Sequence, residues 1–320
     1  MNDGRPQPRL HRPTLIGAAT ACVLALFVGA PPALAQTGED TAPASGSAEP
    51  AQPTAVPKGA KLLLADSRPR QGYYYGWKRL RFRLMLAGKK PLDVKLEIRR
   101  YKSRLLERVI PVHLQPGQKA VIPFDGLSSS GTALRGKFRF VVRGPNGRPL
   151  RLAKKYKRQL LRAPTKQKRK KKKKRLMRFG LFDYIFPVRG KHTYGDGIGA
   201  PRAGHSHQGQ DVSAKCGTKL VAAQGGVVQV NSYQGSGAGY YVVIDTIGSG
   251  IDHVYMHLSF PSPVPVGSAV HTGQPIGTVG NTGRSSGCHL HFEMWSAPGW
   301  YEGGSFMDPA PYLRGWDKYS

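Results

Sequence analysis

Acid, cysteine and helical patterning are all scarce in this chain, and each shortage narrows what it can be. Aspartate and glutamate number 18 against 49 lysines and arginines in 320 residues, a formal charge of +31. Such an excess suits polyanionic surroundings: nucleic acid, anionic lipid or an acidic cell wall. Apolar residues seldom recur at the spacing of an amphipathic helix, and with 40 glycines and 26 prolines the composition leans towards turns and strands. Three cysteines leave room for a single intrachain disulfide. The length is enough for two cores of ordinary size.

Long apolar runs are also missing, with one exception. After Arg5, Arg9 and Arg12 comes "LIGAATACVLALFVGAPPALAQ", which ends in the small-x-small pattern Ala33-Leu34-Ala35 before Gln36. Residues 1–35 read as a secretory signal peptide cleaved after Ala35. The competing reading is an uncleaved anchor, since roughly 17 apolar residues lie at the short end of what spans a bilayer. Cys22 sits in this run without the leucine three residues earlier that lipid attachment would want. Export removes nucleic acid as a partner, and signal cleavage leaves no stable membrane insertion. It also leaves Cys216 and Cys288 as an even pair in an oxidising compartment, most simply a disulfide. Closing a loop of some 70 residues would contribute roughly 4 kcal/mol in the chain-entropy model. The alternative, two zinc thiolates, is opposed by strand alternation, because Cys288 adjoins His289 and so points to the opposite face.

The mature chain divides by composition. Residues 36–58 are rich in Pro, Ala, Ser and Thr without an apolar period, and read as a disordered linker. Over 59–153 the period becomes two: Leu80, Phe82, Leu84 and Leu86, then Leu92, Val94, Leu96 and Ile98, then Phe138, Phe140 and Val142 alternate with polar or charged neighbours. With turn signals at "LAGKK", "QPGQK" and "GPNGRP", this predicts an Ig-like β-sandwich of half-buried antiparallel strands, either a spacer or a wall-binding module. Residues 154–178 carry fifteen basic side chains and no acid. They read as a solvated basic linker able to tether the protein to anionic wall polymers or lipid head groups. From 179 to 320 short strand-like runs such as "GGVVQV", "YYVVIDT" and "HVYMHL" predict a second, mostly β domain, so that the fold class is all-β.

Three clusters in this second domain carry chemistry. In "SSGCHLHFEMW", His289 and His291 leave an extended strand on one side, about 7 Å apart. In "HSHQGQD", His207 and Asp211 stand four apart, and the intervening Gly209 with no helical run around it argues for an extended segment, where i and i+4 again share a face. In "YMHL", Tyr255 and His257 fall on one face of a strand. A hydrolytic zinc site needs three protein ligands and an open position for water, and two imidazoles with one carboxylate make a plausible shell. Glu293 shares the face of His291 and reads either as an orienting partner or as a surface carboxylate. His205, His253 and His271 read as ordinary surface histidines.

Taken in order, His-x-Gly-x-Asp, a Gly-Val turn after Ala, Tyr-x-His-Leu and "GTVGNTGRSSGCHLHFE" resemble the lysostaphin-type, LytM-like zinc peptidoglycan endopeptidases over about residues 180–312. The resemblance implies a compact antiparallel β metallopeptidase domain of the duplicated hybrid motif kind, one Zn2+ per chain and a role in the bacterial cell envelope. It implies His207, Asp211 and His291 as metal ligands and His257 and His289 as unligated catalytic histidines. Peptidoglycan peptides are the implied substrate. With no glutamate beside His207 to act as general base, a histidine must handle the proton, and a neutral imidazole suits that near pH 7. The competing function is a non-catalytic wall-binding or hydrolase-activating protein, which would need a spoiled site; none of the five residues is lost here. The cysteine pair departs from many relatives.

Overall fold

Residues 56–57, 60–153, 177–202 and 204–320 are described by a computed structural model. The expected signal peptide, nearly all of the expected linker at 36–58 and the basic run up to Leu176 lie outside the described residues. Each period-two stretch is a strand. The first seven are β1 (Lys61–Arg68), β2 (Gln71–Tyr73), β3 (Arg81–Ala87), β4 (Leu92–Arg100), β5 (Leu106–Leu114), β6 (Lys119–Pro123) and β7 (Gly136–Arg143). As alternation requires, Phe82, Leu84 and Leu86 of β3, Val94, Leu96 and Ile98 of β4, and Phe138, Phe140 and Val142 of β7 are buried. One sheet runs β1-β3-β6 and the other β2-β8-β7-β4-β5, where β8 is Arg178–Phe182. Both contribute to one core, in which Phe82 meets Phe124, Phe140 and Phe179 at centroid separations of 5.4, 5.0 and 5.2 Å.

β8 stands beyond the basic run, in the stretch expected to open the second domain. It pairs antiparallel with β7 and parallel with β2, and Phe179 and Leu181 are buried in the first core. The boundary read at residue 179 therefore falls inside a strand of the sandwich. Five residues of alternation next to another strand-rich segment do not announce which sheet they join.

The remaining strands are β9 (His192–Tyr194), β10 (Pro201–Arg202), β11 (His205–Ser206), β12 (Gln210–Ala214), β13 (Lys219–Val221), β14 (Gly226–Gln234), β15 (Gly239–Thr246), β16 (Asp252–Leu258), β17 (Ala269–Val270), β18 (Pro275–Thr278), β19 (His289–Trp295) and β20 (Phe306–Met307), followed by helix α1 (Ala310–Asp317). An eight-stranded antiparallel sheet runs β17-β14-β15-β16-β19-β12-β9, with β20 beside β19. One face, carrying Val212, Val242, Ile244, Tyr255, Leu290 and Phe292, packs into a core closed by Leu313 and Trp316 of α1. The other carries Asp211, His289 and His291, which alternate with those core residues along β12 and β19. No helix among the described residues is long and apolar enough to cross a membrane. The expected disulfide is present: Cys216 joins Cys288 with Cα atoms 5.3 Å apart, tying the turn after β12 to the residue before His289.

The strand-rich halves meet through the segment after β2. Trp77 N–H donates to Thr272 O at 2.9 Å, Thr272 Oγ1 donates to Tyr74 O at 2.9 Å, and Phe182 stacks on Tyr319 at 3.9 Å. His253 is not the surface residue expected of it. It is 1 % exposed on β16, with Phe292, Trp316 and Tyr184 rings at 5.3, 5.8 and 6.4 Å. Its Nδ1 has no hydrogen-bond partner among the described residues, and burial lowers its pKa to about 3.

Two outcomes follow from these cores. Phe179→Ala is expected to destabilise the sandwich by about 3–5 kcal/mol, the scale of a buried phenylalanine truncation, read by chemical denaturation; a loss below about 1 kcal/mol would detach β8 from the core. For His253, the unfolded imidazole titrates near 6.5 and the buried one near 3, so the unfolded chain binds a proton that the fold refuses. This residue's contribution makes stability fall as pH drops from 6.5 towards 3. In His253→Leu, the loss of unfolding free energy between about pH 7 and about pH 5 should shrink; an unchanged loss would show that His253 does not titrate across unfolding.

Candidate active site

Two neighbouring strands set the site. β12 and β19 pair antiparallel with Asp211 opposite His291 and Ser213 opposite His289, and directly paired residues share a face. His207 precedes β12 and reaches the same spot from outside the ladder, its backbone N–H held by Ala200 O at 2.9 Å. The glycine between His207 and Asp211 has a steric reason: a Cβ on Gly209 would stand 2.9 Å from His291 Nε2 and press still harder on Phe292 O.

The side chains converge tightly. His207 Nε2 lies 2.8 Å from His291 Nδ1 and 3.0 Å from Asp211 Oδ1, and His291 Nδ1 lies 3.0 Å from the same oxygen. His207 Nδ1–H donates to Gly197 O at 2.8 Å, which turns a lone pair at Nε2 inward. Glu293 Oε1 accepts from His291 Nε2 at 2.9 Å, which does the same for His291 Nδ1. Glu293 is itself 3 % exposed and accepts from Trp295 Nε1 at 2.7 Å, so it orients His291 and is no surface carboxylate. On the other flank, Arg202 donates to Asp211 Oδ2 at 3.0 Å and to Asp196 Oδ2 at 2.8 Å, leaving Oδ1 to face the imidazoles.

Two lone pairs and a carboxylate oxygen packed this closely repel one another unless a positive charge sits between them. Without a metal ion, protons must supply that positive charge: burial works against charge on Asp211 and on His291, yet protonated imidazoles at His207 and His291 hold the Asp211 carboxyl far below its usual range, and Asp211 with Glu293 raises His291. His207, Asp211 and His291 thus form a group able to hold a metal ion, their ligand atoms all within 4.8 Å of one another. The donor set fits such an ion without rearrangement of their tautomers.

His257 and His289 stand alongside, ring centroids 4.6 Å apart, with His257 6.1 Å from His291. His289 Nδ1–H donates to Gly287 O at 2.8 Å, and its Nε2 lies 3.6 Å from Asp211 Oδ1. His257 Nδ1–H donates to Thr282 O at 2.8 Å. Burial, then the nearby His289 and His291, lower the His257 pKa to about 4, so the ring is a neutral acceptor at neutral pH. Tyr255 and His257 do not share a face as alternation predicts. Tyr255 is wholly buried with its hydroxyl accepting from Ala223 N–H at 2.8 Å, whereas His257 adopts φ +61° and swings to the histidine side. His205 and His271 are exposed and take no part. Arg202, Asp196 and the carbonyls of Gly197 and Thr282 carry no signal by type or spacing.

Residues 205–309 match peptidase family M23. Peptidoglycan DD-endopeptidase ShyC of Vibrio cholerae is 43 % identical over 89 residues, 28 % of this chain and 20 % of that protein. L-Ala--D-Glu endopeptidase of Bacillus subtilis is 32 % identical over 154 residues, 44 % of this chain and 45 % of that protein. The chain thus spans less than half the length of either relative. The catalytic domain of lysostaphin from Staphylococcus simulans is 31 % identical, with 38 % of this chain and 92 % of that domain covered at a TM-score of 0.35. The family match takes in all five residues that converge between β12, β16 and β19, and through this domain the chain belongs to peptidase family M23.

Proposed function

We propose that the protein is an exported zinc metalloendopeptidase that hydrolyses peptide cross-links of peptidoglycan. One observation carries this reading: His207 Nε2, Asp211 Oδ1 and His291 Nδ1 converge at 2.8–3.0 Å, beside two further imidazoles whose Nδ1 atoms are committed to backbone carbonyls. His207, Asp211 and His291 would hold one zinc ion per chain, since two imidazoles and a carboxylate suit that borderline ion. When bound, the ion polarises the scissile carbonyl and lowers the pKa of a water molecule. The rest falls to the chain. His257 and His289 turn Nε2 towards the reacting groups; one accepts the proton of the attacking water, and the other hydrogen-bonds the developing oxyanion or protonates the leaving amine. A neutral His257 suits the accepting role. Arg202 and Glu293 hold Asp211 and His291 in orientation throughout. The apolar run ending in Ala33-Leu34-Ala35 supports export, and the basic run at 154–178 supports retention on anionic wall polymers.

His291→Ala is expected to lose both zinc and activity. His289→Ala and His257→Ala are expected to keep zinc near one equivalent while turnover falls about a hundredfold or more, the scale for a positioned acid or base. Metal analysis beside a muropeptide assay separates these, and zinc retained by the His291 variant but lost by the His289 variant would reverse the roles.

The tether has its own test. With the lysines of 154–178 replaced by glutamine, binding to intact walls should weaken chiefly at low salt, because exposed charges are screened within about 8 Å at physiological ionic strength. Turnover of soluble peptides should hardly change. Equal wall binding by both forms at every salt concentration leaves the run a plain linker.

A further inference from the structure

The outward face of the five-stranded sheet carries a row of like charge that its own fold does not neutralise. Arg99 of β4 lies opposite Arg139 of β7, and Arg139 lies opposite Arg178 of β8. Residues directly paired across a sheet share a face, with neighbouring strands about 4.8 Å apart, and like charges so placed destabilise it. Arg104, at φ +62° in the β4–β5 hairpin, adds a fourth guanidinium whose charge reaches Arg139.

Compensation is thin. Glu97 is the carboxylate beside the row, and it is divided between Arg99 and Arg143, each at 2.8 Å. Arg139 is half-buried, and its side chain has no ion pair or hydrogen bond among the described residues. Desolvation, then Arg104, Arg178 and Arg99, lower its pKa. The segment 154–176 that leads into β8 has no aspartate or glutamate to offer. Four cations gathered against one shared acid call for anionic atoms from outside the chain.

The neighbouring edge shows what kind of anion. Leu106 of β5 is paired with Arg99 and therefore stands on the same face, 42 % exposed, and Leu105 beside it is 62 % exposed. A soluble polyanion offers these leucines nothing. A bilayer surface offers phosphates to the guanidiniums and an acyl boundary to the leucines together. We propose that this face, built on Arg99, Arg139 and Arg178 with Arg104, Leu105 and Leu106 at its rim, is a peripheral docking site for a membrane surface rich in anionic phospholipid. The site is remote in kind from the histidine cluster and stands whether or not that cluster hydrolyses peptides. It also assigns the sandwich a task beyond spacing.

Vesicle sedimentation of the full chain tests this, comparing phosphatidylglycerol/phosphatidylcholine vesicles with phosphatidylcholine alone. Arg139→Gln/Arg178→Gln should weaken partitioning to the anionic vesicles by about thirtyfold at low salt, the effect of two cations near an anionic leaflet. Leu105→Ser/Leu106→Ser should weaken it several-fold at high salt as well. Lys89→Gln/Lys90→Gln, an equal loss of charge at an exposed turn at the other end of β4, should change partitioning far less. Thermal unfolding guards against misfolding: relief of like-charge contact, set against loss of the Arg178 guanidinium over the Tyr101 ring at 4.2 Å, should leave the arginine variant folded and within a few degrees of the parent at low salt. Equal losses in the arginine and lysine variants would overturn the site in favour of unspecific charge. Loss of soluble poly(glycerol phosphate) binding in the arginine variant, with no effect of the leucine changes on vesicles, would overturn the lipid surface in favour of a dissolved polymer.

Discussion

The register between β12 and β19 is the constraint on which the site depends. Asp211 opposite His291 puts carboxylate and imidazole on one face, with Val212, Leu290 and Phe292 turned into the core behind them. A slip by one residue would drive both ionisable groups inward and expose the apolar set, so burial of the core and convergence of the ligands are one choice. Gly209 admits the close approach to His291 and the Phe292 carbonyl that this register requires. The Cys216–Cys288 bridge fastens the two segments just outside the paired residues.

Holding three acceptors together demands outer partners of the right sign. Glu293 draws the proton of His291 to the far nitrogen, the Gly197 carbonyl does so for His207, and Arg202 occupies the outer oxygen of Asp211. Each contact removes one way for the cluster to relax its repulsion by turning a donor inward. What remains is a small volume that favours a cation and whose walls are already aligned for it. Catalytic electrostatics of this kind depend on preorganisation, because a site that must reorient its dipoles during reaction loses much of their benefit.

Much of this was legible in sequence where a period or a spacing carries it. Alternation in 80–98 and 138–142 gave the strands and their inward residues, and His-x-His, His-x-x-x-Asp and Tyr-x-His, read with the family resemblance, picked out five site residues, all of which the fold brings together. The misses have physical reasons. His257 leaves its strand through a positive φ, which no alternation rule anticipates. The burial of Glu293 depends on Trp295, whose indole donates to it, and that of His253 on α1, which returns across the core from some sixty residues downstream to lay Trp316 nearby. β8 joined the sandwich because Phe179 completes an aromatic core with Phe82, Phe124 and Phe138. Arg202 acts through tertiary placement alone, one arginine among many in a chain crowded with them.

That crowding bears on where the charge excess resides. With 18 acids for 49 basic side chains, pairing is selective, and where carboxylates are buried they answer a structural demand. Asp66 takes a bidentate contact from Arg83 at 2.8 and 2.6 Å, Glu97 is shared by two arginines, and Asp211 and Glu293 serve the histidines. The surplus is therefore not spread evenly over the surface. It concentrates on the 154–178 run and on the arginine row whose last member, Arg178, closes that run. Along the sequence the basic run and the arginine row share Arg178, so if the run tethers the protein as proposed, an anionic surface drawn to it would lie within reach of the row, over a range limited to about one Debye length.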